Sequence, residues 1–208
     1  MRRRWPLVSG AVAVFLAAAL GLLAAQRNRN LPFSFDTEWM DELLEERSVW
    51  LDTPARLMDW LGGGLVGVIV IPVAIVAALC VARKYWGALY YATAALLSVA
   101  LVQALKAGFD RPRPEEILVI SDAGSFPSGH VANATTMAVV LAIILNRWWV
   151  WFAGIAYVVL MALSRTYLGA HWLSDTIGGA LIGAGIAVVV WAPFATRLRR
   201  ERSASPSG

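Results

Sequence analysis

The chain has 208 residues, 59% of them hydrophobic and 15% charged, with a mean hydropathy of +0.62. A soluble domain is close to half apolar, so the excess calls for a second solvent, and a bilayer supplies one. The net charge of +4 and the pI near 9.6 would suit nucleic acid, but the placement of the charges points to a membrane and away from nucleic acid. The length suits one unit over 1–208, with no room for a second large domain. The single cysteine, Cys80, excludes an internal disulfide and reads as a small buried hydrophobe.

Six apolar segments follow in chain order: Leu7 to Ala25, Leu65 to Ala82, Tyr85 to Leu105, Val131 to Leu145, Trp148 to Leu163 and Trp172 to Trp191. A spanning helix needs about 20 residues, and the fourth segment is short by that measure. Its flanks, Phe126 and Trp148 to Trp149, extend it into the interface that tryptophan favours. The first segment, behind Arg2, Arg3 and Arg4, also resembles a secretory signal. Its apolar stretch is longer than a usual signal core, and it is read as a retained helix. The expected fold is all-α: a polytopic membrane protein with six transmembrane helices.

Charge asymmetry orients it. With the N-terminus in the cytoplasm, the inner segments hold Arg2, Arg3, Arg4, Arg83, Lys84, Arg147, Arg197, Arg199, Arg200 and Arg202 against Glu201, a net +9. The outer segments hold eight cations against thirteen acids, a net −5. Both termini are therefore expected in the cytoplasm of a bacterial plasma membrane, with a cytoplasmic tail over 197–208 that is polar and disordered from Ser203.

Two outer loops are long. The first, 26–64, carries an amphipathic helix over Asp36 to Trp60, with Asp36 or Thr37 as N-cap and Pro54 marking a break. It can lie in the membrane interface or pack on the bundle as a solvated cap. The second, Ala107 to His130, belongs to the region 106–175 that holds the chemistry.

Ionisable residues at membrane depth are costly and mark function. Lys106 ends the third span, with Arg111 and Arg113 just beyond it. Phe126-Pro-Ser-Gly-His130 opens the fourth span. Ser164-Arg165 ends the fifth, and His171 and Asp175 open the sixth. Six alternating crossings bring all three clusters to the outer face, so an extracytoplasmic active site is expected there.

Lys106, Arg113 and Arg165 suit phosphate oxygens, because guanidinium groups offer paired planar donors. Gly129 allows close backbone approach, and the N–H groups from Ser128 to His130 sit at a helix N-terminus that attracts anions. A carboxylic ester would not need three cations. His171 and Asp175 are four apart and share a face on a helix. The carboxylate can fix one ring N–H and leave the other nitrogen to attack phosphorus. His130, from another helix, is free to protonate the leaving oxygen and later to activate water. Two histidines and an aspartate can also hold zinc, but the neighbouring Lys and Arg repel it, so no metal and no cofactor is expected.

Lys106-Ala-Gly-Phe-Asp-Arg-Pro-Arg113-Pro114, Pro127-Ser-Gly-His130 and Ser164-Arg165-Thr-Tyr-Leu-Gly-Ala-His171-Trp-Leu-Ser-Asp175 resemble the three-part signature of the type 2 phosphatidic acid phosphatase superfamily. The resemblance runs from about Leu61 to Trp191. It implies a metal-independent lipid phosphatase with His171 as nucleophile, Asp175 orienting it and His130 as acid and base. It also implies phosphate binding by Lys106, Arg113, Arg165, Ser128 and the Gly129 backbone. The expected substrate is undecaprenyl diphosphate, with phosphatidylglycerophosphate or phosphatidate as alternatives. The competing classes are a vanadium-dependent haloperoxidase and a non-catalytic lipid transporter or binder. Arg111 falls outside the signature positions and either binds substrate or caps the loop. Asn133 and Thr136 either support His130 or bond between helices, and Gly179-Ala-Leu-Ile-Gly183 suits close packing in the bundle as well as a dimer contact. The oligomeric state is left open.

Overall fold

The computed structural model describes residues 4–27, 31–120 and 124–204. Arg2, Arg3, Arg29 and the tail from residue 205 lie outside the described residues. Among the described residues there are eight α-helices, one π turn and no strand. The helices are α1 (Trp5–Gln26), α2 (Ser34–Glu45), α3 (Val49–Gly62), α4 (Ile71–Val81), α5 (Tyr85–Phe109), α6 (Gly129–Leu145), α7 (Trp148–Tyr167) and α8 (Leu173–Ala204). The π turn, Val66–Val70, leads directly into α4.

Each of the six apolar segments falls on a helix. Four of these, α1, α5, α7 and α8, are long and apolar enough to cross a membrane. Taken together, α3 and the π turn with α4 give a fifth candidate, bent by 48°. The remaining apolar helix, α6, has 17 residues. The distribution of side chains fits a bilayer solvent. Phe15, Leu96, Phe152 and Ile155 are more than half exposed, while Lys106, Arg111, Arg165, His171 and Asp175 are buried. In water this would be an inverted protein; in lipid, apolar groups can face outward and polar groups must be satisfied within the bundle. The chain is a multi-pass membrane protein.

At the centre, α8 packs against α1, α5 and α6. A Cβ on Gly183 would stand 2.4 Å from the Ala132 carbonyl oxygen, and one on Gly179 2.5 Å from that of Ser128. The GxxxG face is therefore spent on contact with α6 inside the bundle. Thr136 donates to Ser98 Oγ at 3.0 Å and Asn133 to the Gly67 carbonyl at 2.8 Å, so both bond between elements.

One end of the bundle gathers Leu79, Ile144 and Leu198 in a single cluster. There Arg197 lies 4.4 Å from the Trp86 ring centroid, and the Glu201 carboxylate accepts the Trp86 and Gly87 N–H groups at the start of α5. This end also carries Arg83, Lys84 and Arg147, which follow α4 and precede α7. The residues from 197 to 204, expected as tail, continue α8.

At the opposite end the first long loop folds into α2 and α3, which break at 46–48 rather than at Pro54. Pro54 lies inside α3, where its missing N–H removes only one ladder bond. Asp36 is not the N-cap. Phe33 holds that position, and the Asp36 carboxylate takes the Phe33 N–H at 3.2 Å. The two helices pack on the bundle: Ser164 donates to the Ala55 carbonyl at 2.7 Å, and Arg47 reaches the Tyr167 and Glu116 carbonyls. Their other face leaves Val49, Trp50, Leu57 and Trp60 exposed.

Candidate active site

Three local devices bring the motif residues together. Asp110, in the left-handed conformation (φ 40°), ends α5 and turns the chain back over Lys106 into Arg111 and Arg113. Phe126 is fully buried, set edge-on to Phe109 at 5.6 Å, and anchors the loop that delivers Ser128 to the start of α6. After α7, Gly169 adopts φ +65°, and a Cβ there would lie 2.3 Å from the Glu116 carbonyl oxygen. Only glycine serves at that tight reversal, which returns the chain so that His171 faces Arg165.

Lys106, Arg113, Gly129, His130, Arg165 and His171 line one cavity of about 350 Å³ at this end of the bundle. Six of the eight sequence-derived site residues thus share one space. The other two, Ser128 and Asp175, stand behind its wall. Lys106 Nζ donates to the Gly124 carbonyl at 2.9 Å, and Arg113 donates to the carbonyls of Gly124 (3.0 Å) and Ala170. These carbonyls help hold the two cations in place at the cavity wall.

His171 lies in the turn before α8, not on the helix itself, so its spacing to Asp175 is not a helical one. Its Nδ1 is 2.8 Å from the Ser125 carbonyl oxygen, which can only accept; Nδ1 therefore carries the hydrogen and Nε2 is left with its lone pair. Asp175 Oδ2 is farther off, 3.7 Å from Nδ1, and takes the Trp172 N–H at 2.8 Å. The orienting bond expected from Asp175 is thus made by a backbone carbonyl. Burial first, then the positive charges of Arg165, Arg113 and Lys106, hold the His171 pKa well below the ordinary histidine value, so the ring is neutral at pH 7.

Ser128 differs from expectation in one respect. Its N–H is committed to the Asp175 carbonyl at 3.0 Å, so the anion-facing donors at this helix start are the Gly129 and His130 N–H groups, which have no intrahelical partner. The Ser128 hydroxyl is buried and finds no partner among the described residues.

Sequence reasoning missed three residues. Asp36, from α2, and Asp175 both pair with Arg111, at 2.9 and 2.6 Å, and all three side chains are fully shut from solvent. Ser174 joins them, donating its N–H and hydroxyl to Asp36 at 2.8 and 2.7 Å. Arg111 is therefore neither a cap nor a cavity residue but the tie between the first long loop and Asp175. The third missed residue is Asp59, at the end of α3, which pairs with Arg165 and His130. An acid in a long loop that pairs with cations far away in the chain has no sequence signature of its own; it looks like any loop carboxylate.

The cavity runs into an apolar groove of about 320 Å³ between the π turn with α4 and α5, sharing Val68, Val99 and Asn133 with it. Pro72, Val76, Tyr91 and Leu96 line its far part. From Val99 to Tyr91 the helix rises about 12 Å.

The sequence pattern of the PAP2 superfamily matches residues 87–199, more than half of the chain, and takes in every residue of the cavity that carries charge. The chain belongs to the PAP2 superfamily. Among PAP2 relatives, it is 29% identical over 174 residues to phosphatidylglycerophosphatase B of Bacillus subtilis, covering 78% of this chain and 84% of that one. It is 44% identical over 62 residues to undecaprenyl-diphosphatase of Sulfolobus acidocaldarius, a match that spans 30% of each chain. The crystal structure of a transmembrane PAP2-type phosphatidylglycerolphosphate phosphatase from Bacillus subtilis superposes with a TM-score of 0.75 at 25% identity, over 93% of this chain and 96% of that one.

Proposed function

We propose that this PAP2 protein is a metal-independent lipid phosphatase that works through a phosphohistidine at His171. One observation carries the reading: three cations and two imidazoles line a single cavity that opens onto an apolar groove. The phosphate binds among Lys106, Arg113, Arg165 and the Gly129 and His130 N–H groups, and the hydrocarbon tail lies between α4 and α5. Phosphoryl transfer spreads charge over three oxygens, so positioned cations supply most of the stabilisation.

His171 Nε2 attacks phosphorus while Nδ1–H stays on the Ser125 carbonyl. Asp175, close behind the ring, offsets the positive charge that develops on it. His130 gives a proton to the leaving oxygen and then takes one from the water that cleaves the phosphorus–nitrogen bond. Ser128 supports this helix start from behind the cavity wall.

With six crossings and both termini in the cytoplasm, the positive-inside rule puts the cavity on the extracytoplasmic face of a bacterial plasma membrane. Exposed Trp50 and Trp60 on α3 then sit at the interface. Undecaprenyl diphosphate, an isoprenoid diphosphate, is the proposed substrate. It is supported by the 44% identity to a relative of that specificity and by a groove lined with apolar side chains. Phosphatidylglycerophosphate is the second reading, supported by the longer match over 174 residues and by the superposition.

The test is phosphate release by the purified protein in detergent from a panel of lipid phosphates and diphosphates. The reading expects the highest kcat/KM on the isoprenoid diphosphate. Absence of release from every member of the panel would contradict it.

A further inference from the structure

Asp59 brings a carboxylate to two groups of the cavity from outside the motif region. Its Oδ1 lies 3.1 Å from His130 Nε2 and pairs with the Arg165 guanidinium. Its backbone carbonyl oxygen lies 3.1 Å from the same imidazole nitrogen. Gly63, four residues on, leaves room for this arrangement: a Cβ there would stand 2.2 Å from His130 Nε2. The end of α3 therefore holds His130 on one side by two oxygens and on another by bare backbone. Phosphoryl transfer through His171 and His130 assigns Asp59 no contact with the phosphate.

We propose that Asp59 is the positioning residue of His130, accepting from Nε2–H and thereby leaving Nδ1 to exchange the catalytic proton. The proposal rests on the phosphatase reading. Two acceptors on Nε2 fix which nitrogen keeps its hydrogen throughout the cycle. In the first half-reaction the His130 imidazolium passes its Nδ1 proton to the leaving oxygen as the phosphorus–oxygen bond breaks. In the second, neutral His130 takes a proton from water onto Nδ1 as the water oxygen attacks the phosphohistidine. Nε2–H stays on Asp59 in both, and the proton count returns to its start.

The charges around His130 make such a partner necessary. Arg165 from α7 is beside it, with Lys106 of α5 and Arg113 of the following loop also lining the cavity, and His171 in the turn after α7. The Arg165 charge opposes a proton on the ring. The carboxylate of Asp59 opposes that charge and favours the protonated form of the ring, the form that must donate.

The experiment uses the full chain in detergent with dioctanoyl phosphatidate, and measures kcat/KM from pH 5 to 9 for wild type, Asp59→Asn and Asp59→Glu. Inhibition by orthovanadate is measured alongside. Loss of the carboxylate is expected to move the alkaline limb of Asp59→Asn down by about one pH unit or more, with Asp59→Glu restoring part of the shift. Orthovanadate inhibition is expected to stay within about threefold of wild type. Asp59→Ser, which takes less space, carries the same readout should Asp59→Asn fail to fold. A lowered rate with an unmoved alkaline limb would overturn the proposal and leave Asp59 a structural contact. An unmoved limb with orthovanadate binding tenfold tighter would overturn it too, and make the carboxylate a stand-in for phosphate on Arg165. A wild-type chain that releases no phosphate overturns the functional reading itself, whereas an active chain with an unmoved limb overturns only the role of Asp59.

Discussion

Arg111 Nη1 donates to Asp175 Oδ1 at 2.6 Å while Nη2 of the same guanidinium holds Asp36 at 2.9 Å. One fork thus ties α2, in the first long loop, to the carboxylate behind His171. Removing it leaves two buried acids uncompensated, a loss of about 3–5 kcal/mol where a buried pair is broken. Arg111→Met is expected to lower the melting temperature sharply. Arg111→Lys, which keeps a charge but not the fork, is expected to fold and to lose at least tenfold in kcat. Thermal unfolding and single-substrate kinetics on the two variants check this.

Gly63 is extended at φ −138°, a conformation open to any residue, so the constraint on it is purely steric. Its missing side chain is filled by the His130 ring, whose Nε2 and Cε1 would be 2.2 and 2.3 Å from a Cβ. Gly63→Ala is expected to displace the ring and to cut kcat about 100-fold. Gly108, exposed near the end of α5 with open space around it, is the counterpart. Gly108→Ala is expected to keep full activity and to gain about 0.5–1 kcal/mol of stability. Kinetics and melting of both variants give the comparison.

Much of this was legible in the sequence because it is local. Each of the six apolar segments falls on a helix, and Lys106, His130, Arg165 and His171, expected together at one face, line one cavity. What escaped was set by contacts far apart in the chain. Asp36 meets Arg111 across 75 positions, and Arg165 meets Asp59 across 106. No periodicity or spacing rule reaches that far. The same holds for the His171 tautomer: a helical reading of residues 171 to 175 assigned it to Asp175, but the chain turns at Gly169 and puts the Ser125 carbonyl there first. The Pro54 break failed for a different reason, since one lost ladder bond is outweighed by packing of α3 on α7.

Arg165 is 2% exposed and serves Asp59 on one side and the cavity on the other. A lysine delivers the charge as a single point and cannot span both. Arg165→Lys is expected to lose about 100-fold in kcat/KM, with a fold change in orthovanadate inhibition of similar size. Equal loss in substrate turnover and vanadate binding is the signature of transition-state stabilisation.

The pH dependence follows from the sign of the His171 shift. A pKa below the ordinary value of 6.5 keeps the ring neutral, hence nucleophilic, until the pH falls well under that value. The acid limb of kcat/KM is therefore expected well below pH 6.5, and the alkaline limb to report His130. The profile is expected to be bell-shaped and to persist in excess chelator. A profile flat from pH 5 to 9, or activity lost to chelator and restored by magnesium, counts against the paired imidazole mechanism.

The central claim is that the phosphoryl group passes through His171. Rapid acid-free quenching of the purified protein with a radiolabelled lipid phosphate, followed by base-stable recovery of labelled protein, tests it most directly. The account predicts label on the wild-type chain, none on His171→Ala, and label that outlasts wild type on His130→Ala. Label on His171→Ala, or an active wild-type chain that never carries label, would contradict it.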